Sequence, residues 1–491
     1  MPQILPKNNP RSTIYAYAII AFVVFLMLSV IFGYVPGNPK LVVGSFIFLF
    51  LLAGAYLNVS GAFLTVIFFL PILIGADRYQ INIGTFFQNL FPIEELYVNP
   101  FSLGCLFLFF LATIEFSKRI IKIASIPLFY ILSLSIILSL ITFGQSQYKL
   151  TGVVFEIYLI AGFLAYFLGY FLLGNKKNYL KLIFIIIFST IIPAIVGFYQ
   201  FVSGSYFFET DSALGRITST FPHSNTFGSF LFVTLTVALI AFLAIKIKRA
   251  PAQQKLSTSP SGFSVGIYIF LGLLALLLIL TYSRTAWAGM AITLLTLAVL
   301  KPHLRWPVIY SGSLFLFLSM FLEKIQQRFL GIFERYMFDS MYGRREIWDM
   351  AIFAAKKKLL LGYGIGSFGD VIMGVQGKET GNVYPHNDTV RFFLEGGIVG
   401  ILSYLLYMLG ALYYAILSYF RYPKNVESLE FFGQQWEIDF KLLGIIPLLL
   451  FGSMVVISMV EAPSMDFVYQ ILAWTMLGSW LGMSQEYWRK A

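Results

Sequence analysis

Apolar residues in this chain gather into long uncharged runs and do not alternate with polar ones. Leu231–Ile245, Ile267–Leu280, Leu442–Val460 and the stretch around Ile185–Val196 are examples. A run of about 18 or more such residues is long enough to cross a bilayer core as a helix. Continuous rather than alternating runs predict helices and exclude a barrel. The pattern predicts about 12–14 spans. They fall near Ile14–Val35, Leu41–Leu57, Ala62–Ile74, Leu103–Ile114, Ile126–Phe143, Gly152–Leu173, Leu180–Phe201, Phe227–Ile245, Val265–Leu280, Ala286–Leu300, Pro307–Leu322, Ile398–Phe420, Leu442–Val460 and Phe467–Met483. The expected fold is therefore all-α and polytopic, with one long extracytoplasmic loop containing short helices.

Composition agrees. Of 491 residues 58% are hydrophobic and 12% charged, more apolar surface than a soluble chain of this size can bury. The net charge is +11, from 34 basic and 23 acidic residues. In a soluble protein that excess would suggest nucleic acid. Here its distribution points to loops held on the cytoplasmic side. With Lys7 and Arg11 inside, the loops that must also lie inside carry Lys118, Arg119 and Lys122, then Lys176 and Lys177. Lys246, Lys248, Arg249 and Lys255 follow, then Lys301 and Arg305, then Arg421 and Lys424. Arg489 and Lys490 close the series inside, so both termini are expected in the cytoplasm. The intervening short loops are poor in Lys and Arg. The first run, Ile14–Val35, is too long for a secretory leader and reads as a retained helix. The lone Cys105 excludes an intramolecular disulfide.

Two loops stand apart. Ala250–Gly262, rich in Pro, Gln and Ser, reads as a flexible cytoplasmic linker. Glu323–Glu395 is long, charged and outside, and long loops escape the charge rule. The organisation expected is a transmembrane bundle over 1–322, a large extracytoplasmic loop over 323–395, and further transmembrane helices over 396–491.

This threading collects the chemically interesting residues outside. Arg284, in Thr281–Tyr282–Ser283–Arg284–Thr285–Ala286–Trp287, sits in a very short turn between two spans. A cation at that depth must be paired or wet. It either snorkels to head groups or forms a fixed site for phosphate, which a guanidinium grips with two parallel hydrogen bonds. Arg216 alone is an ordinary loop charge; with Arg284 it completes a clamp for a diphosphate. His386 follows Pro385, which disfavours helix, and precedes Asn387 and Asp388, either of which can cap the next helix. The helix N-terminus favours a neutral imidazole, which is either a hydrogen-bonded loop group or a general base toward a hydroxyl. His223, in a similar Pro-His-Ser-Asn setting, is the weaker candidate.

Gly343–Lys358 reads as an amphipathic helix with Ile347, Met350, Ala351 and Ala354 on one face. It could lie flat on the membrane, its lysines on anionic lipid or glycan, or show a solvated face. The glycine-rich stretch Leu361–Gly369 lacks the lysine ending of a phosphate loop and reads as a turn for close backbone approach. Neither metal ligands at workable spacing nor a cofactor-binding motif is present, so metal and cofactor are expected to be none. Glu156 and Glu461, near outer span ends, are candidates to support the site.

Pro385–His386–Asn387–Asp388 followed by Phe392–Gly400, the Ser283–Arg284 junction, Arg345 with Trp348 and Ala351, the turn Leu361–Gly364 with Phe368, and Arg216 with Asn225 together resemble the motif set of the O-antigen ligase and polymerase superfamily. The motifs span about Arg216 to Gly400; the earlier spans are similar only in hydropathy. The resemblance implies a metal-independent glycosyltransferase of the bacterial inner membrane. It would move a glycan from a polyprenyl diphosphate to a hydroxyl of lipid A–core or a similar acceptor, with inversion. It implies catalytic roles for His386, Arg284 and Arg216, and substrate contacts for Arg345, Asn387, Asn225, His223 and Tyr282. The implied partners are the lipid-linked donor, a lipid- or glycan-linked acceptor and membrane lipids, not nucleic acid. The larger number of spans and the cytoplasmic linker depart from many members and leave the subfamily open. Competing readings are a polymerase of the same superfamily, a small-anion transporter such as one for bicarbonate, and a non-catalytic envelope scaffold. Few ionisable residues are expected in mid-membrane, which argues against coupled transport.

Overall fold

The computed structural model describes residues 59–73, 81–82, 97–98, 111–112, 125–146, 149–204, 215–247, 262–306, 308–310, 312–313, 317, 323–330, 341–377, 383–431 and 433–488. Two expected spans, Ile14–Val35 and Leu41–Leu57, lie outside them, as do Cys105 and nearly all of the expected linker Ala250–Gly262. Most of Leu103–Ile114 and Pro307–Leu322 also fall outside.

The described chain is dominated by apolar helices. They are α1 (Val59–Leu73), α2 (Phe129–Gly144), α3 (Lys149–Leu172), α4 (Lys176–Ser189), α5 (Ile191–Ser203), α6 (Ser224–Ala244), α7 (Gly262–Leu280) and α8 (Arg284–Leu300). After these come α9 (Met341–Ala355), α10 (Phe368–Val375), α11 (Asp388–Arg421), α12 (Phe440–Leu443), α13 (Ile445–Ile457) and α14 (Phe467–Met483). Among the described residues, five stretches are long and apolar enough to cross a membrane, and four shorter helices are also apolar. The chain is an all-α, multi-pass membrane protein. The span expected over Leu180–Phe201 is divided at Thr190, where α4 ends and α5 begins with Pro193 in its first turn.

The deepest packing pairs α3 with α14. With little hydrophobic drive between helices in lipid, close approach through small residues takes over. Gly478 and Gly482, one turn apart on α14, meet the carbonyls of Tyr166 and Tyr170 on α3. A Cβ added to them would lie 2.0 Å and 2.4 Å from those oxygens. Trp474 and Trp480 fill the space on either side and are fully buried.

Strands are few. β1 (Ile245–Ile247) continues directly from α6, and β2 (Val426–Phe431) with β3 (Gln434–Asp439) forms a hairpin after α11. The sheet is antiparallel in the order β1-β3-β2, with Ile245 opposite Ile438 and Leu429 opposite Trp436. The run pattern gives no hint of it. It caps the end of α6 opposite Ser224, about 31 Å away for a 21-residue helix.

α9 is the amphipathic helix read in the sequence, but its apolar face is not turned to a membrane. Its apolar residues Ile347, Ala351 and Ala354 are buried in a small separate core with Phe368 and Ile372 of α10, with Val383 ahead of α11, and with Leu394 of α11. A helix whose apolar face is consumed this way does not lay that face on a membrane. Lys356–Lys358 form one exposed 3₁₀ turn at its end.

Between α9 and α10 the chain runs beside α11, which is broken at Gly397 (φ 59°, ψ −146°). A break leaves amides without helical partners, and lipid offers none. Here Ile398 and Val399 N–H donate to the Leu359 and Leu360 carbonyls at 2.9 and 3.2 Å. In the other direction, Tyr363 and Gly364 N–H donate to the Leu394 and Glu395 carbonyls at 3.1 and 2.6 Å. The glycines permit the contact: a Cβ on Gly362 would fall 2.5 Å from the Glu395 carbonyl carbon.

Candidate active site

The site is assembled by three loops and the N-terminus of α11. The first loop, Gly215–His223, delivers Arg216, which is buried. Its Nε donates to the Thr281 carbonyl at 2.9 Å and its Nη2 to Asn225 Oδ1 at 2.6 Å. Asn225 lies in the first turn of α6, so one guanidinium ties this loop to that helix. The same guanidinium holds the second loop, Thr281–Ser283, whose next residue, Arg284, opens α8. Arg216 and Arg284 are thus brought to one turn, with Arg284 partly exposed. Tyr282 in this turn lies edge-on to Trp287, with ring centroids 6.5 Å apart.

His386 precedes α11. Asn387 is the cap: its Oδ1 accepts from Val390 N–H at 2.9 Å, and its Nδ2 donates to the Met459 carbonyl at 2.8 Å. Both ends of this amide therefore serve local structure. Asp388 is fully buried, accepting from the Ser464 amide at 3.0 Å and from the Ser464 hydroxyl. Its own N–H donates to the Ser458 carbonyl at 2.9 Å. One turn on, Arg391 pairs with Glu395 at 3.1 Å, donates to Ser464 Oγ at 3.0 Å and lies over the Phe155 ring. Together these contacts fasten the third loop, 458–466, to the start of α11.

That loop delivers Glu461. Its Oε1 lies 3.0 Å from His386 Nδ1, and its Oε2 lies 3.8 Å from Arg344 Nη2. Arg344 is buried and also donates to the Val460 carbonyl at 2.5 Å. The Tyr384 ring packs edge-on to the imidazole at 4.8 Å.

A cavity of about 350 Å³ opens between these loops. His223, Asn225, Thr285, Tyr384, His386, Glu461 and Asp466 are among its lining residues. Asp466 caps α14, accepting from Tyr469 N–H at 3.1 Å. Burial lifts its carboxyl from the usual 3.8 to about 6, against hydrogen bonds from the Tyr469 amide and the Ser229 hydroxyl. Among the described residues, four non-glycine residues have positive φ. Three of them, Ser219, Tyr282 and His386, stand in the loops that build this site. Backbone held in that region costs energy and concentrates where function demands it.

The residues singled out in the sequence divide accordingly. Asn225, His223 and His386 line the cavity, and Arg216 is hydrogen-bonded to Asn225. Arg284 and Tyr282 share the turn that Arg216 holds. Arg345 is elsewhere: its side chain is 75% exposed and 3.9 Å from Asp349 on its own helix. The neighbouring Arg344 is the arginine turned inward. Asn387 positions the helix. Glu461 was legible only as a carboxylate near a span end, and Asp388, read as a possible cap, ties the third loop instead; the parts of Arg344, Arg391 and Asp466 carried no sequence signal of their own. Among the described residues no cluster of His, Cys, Asp or Glu could hold a metal ion. More charge is buried in the bundle than the runs suggested, since Glu156, Asp388, Arg391 and Glu395 are all inaccessible.

Residues 269–405 match the family model described as O-antigen ligase. The matched stretch contains Arg284, α9, the glycine turn and His386, and so bears out the resemblance carried by those motifs. Arg216, Asn225 and Glu461 fall outside it. No curated protein matches the chain.

Proposed function

We propose that this protein is a membrane glycosyltransferase of the O-antigen ligase type, acting on the outer side of the inner membrane. It transfers a glycan from a polyprenyl diphosphate to an acceptor hydroxyl, such as one on lipid A–core. The observation that carries the reading is a cavity lined by His386, His223, Asn225 and Thr285, with Arg216 bonded to Asn225 at its wall and holding the turn that leads into Arg284.

In this reading Arg284 and Arg216 hold the diphosphate and stabilise the negative charge that develops on it. His386 takes the proton of the acceptor hydroxyl. The acceptor oxygen forms a bond to the anomeric carbon while the bond from that carbon to the phosphate oxygen breaks. Its electron pair leaves with the diphosphate, and attack from the opposite face inverts the centre. Arg216 is already committed to Thr281 and Asn225, so it shapes the Arg284 turn as well as adding positive charge.

The test is gene deletion followed by envelope glycan analysis, then complementation. Loss of all long glycan from lipid A–core, with lipid-linked polymer accumulating, is expected of a ligase. Retention of a single repeat unit would instead mark a polymerase, and an unchanged envelope with altered anion uptake would mark a transporter. His386→Ala and Arg284→Ala are each expected to insert normally and fail to restore the glycan. A normal glycan profile from either would overturn its catalytic assignment.

A further inference from the structure

The carboxylate of Glu461 has no counterpart among the motifs that point to the reaction. It lies outside the stretch matched by the family model, 75 residues beyond His386. Four backbone and side-chain links bring it back: Asn387 to Met459, Asp388 to Ser458, Asp388 to Ser464 and Arg391 to Ser464. They fix the loop on both sides of Glu461 against the helix turn that begins at His386.

We propose that Glu461 is the positioning residue of His386, itself held by Arg344. The proposal rests on the reading of His386 as the acceptor base. A carboxylate can only accept, so a contact of 3.0 Å to Nδ1 assigns the ring proton to that nitrogen. The lone pair then belongs to Nε2, which makes no hydrogen bond among the described residues and is left for the acceptor hydroxyl. When Nε2 takes the proton, the ring becomes a cation with a carboxylate beside it, the logic by which an acid orients and supports a histidine base. The backbone at His386 is held at positive φ (48°), a conformation that costs energy and persists only where the surrounding structure imposes it. Arg344 limits the carboxylate to one orientation through Oε2 and the Val460 carbonyl. The proton leaves Nε2 for water through the open cavity, so no further co-reactant is required.

The experiment uses the full-length protein in lipid vesicles with a polyprenyl-diphosphate glycan and a lipid A–core acceptor. kcat and KM are measured for wild type, His386→Ala, Glu461→Gln and Glu461→Asp. Glu461→Gln is expected to lower kcat by about 10²-fold or more with little change in KM. Glu461→Asp, which keeps the carboxylate, should recover a large part of that loss. Wild-type kcat in Glu461→Gln, with His386→Ala inactive, would overturn the positioning role and leave the base intact. Full activity in His386→Ala would instead remove the base reading itself. If Glu461→Gln fails to insert, Arg344→Gln takes its place. It is expected to lower kcat with little change in KM, and a wild-type kcat would again overturn the proposal.

Discussion

A single amide and a single guanidinium do much of the arranging in this site. Asn387 spends its oxygen on the start of α11 and its nitrogen on the Met459 carbonyl, so His386 is delivered by a neighbour that is itself fully engaged. Arg216 does the same for the Arg284 turn. Exposure separates the two adjacent arginines of α9: Arg345→Ala should leave transfer near wild type, because an exposed ion pair contributes little. Asp466 makes a prediction about pH. Its carboxyl binds its proton up to about 6 in the folded protein but only to the usual 3.8 when unfolded. The native state therefore holds more protons between those values, and this group's contribution to stability falls as pH rises across them. Asp466→Asn retains an oxygen to cap Tyr469 and should flatten that decline. Melting curves of detergent-solubilised protein against pH check it; an unchanged slope would refute the assignment. These residues were unequally legible. His386 and Arg284 announce themselves by being polar where the chain is otherwise apolar. Glu461 and Arg344 look like ordinary charges until the fold sets them on one imidazole.

At the scale of elements, the decisive feature is the exchange of hydrogen bonds between the glycine turn and the broken helix α11. A Cβ at Gly397 would meet the Leu359 carbonyl oxygen at 2.4 Å, in a left-handed conformation that disfavours any side chain. Gly397→Ala is expected to destabilise the protein by at least about 2 kcal/mol, read as a lowered melting temperature. An unchanged melting temperature would show that the break is not required. The glycine richness of Leu361–Gly369 was visible in the sequence as a need for close approach, but its partner was not. The break at Gly397 was equally hidden, since Ile398–Phe420 is apolar with or without a kink just before it. The amphipathic face of α9 was correctly read as a face. What covers it, a small core shared with α10 and α11, depends on residues up to Leu394 in the chain.

Across the whole molecule, α6 separates two ends, the cavity loops at Ser224 and the three-stranded sheet beyond Ala244. The sidedness drawn from basic loops puts the sheet in the cytoplasm and the cavity outside. Asp370→Cys and Ser428→Cys, each in a Cys105→Ser background, test this with an impermeant maleimide on intact spheroplasts. The first is expected to label and the second to label only after lysis; the reverse pattern would invert the orientation.

The one-dimensional pattern was sufficient for membrane residence, for the helical class and for most span boundaries among the described residues. The reason is that a bilayer tests each segment by itself, through its length and apolarity. The motifs added the residues that belong near one another. Which groups meet was decided only in three dimensions, because a hydrogen bond between His386 and Glu461 depends on how α11 and α13 pack. No local run of residues records that packing. The tertiary structure alone therefore joined the third loop to the cavity and chose Arg344 over Arg345.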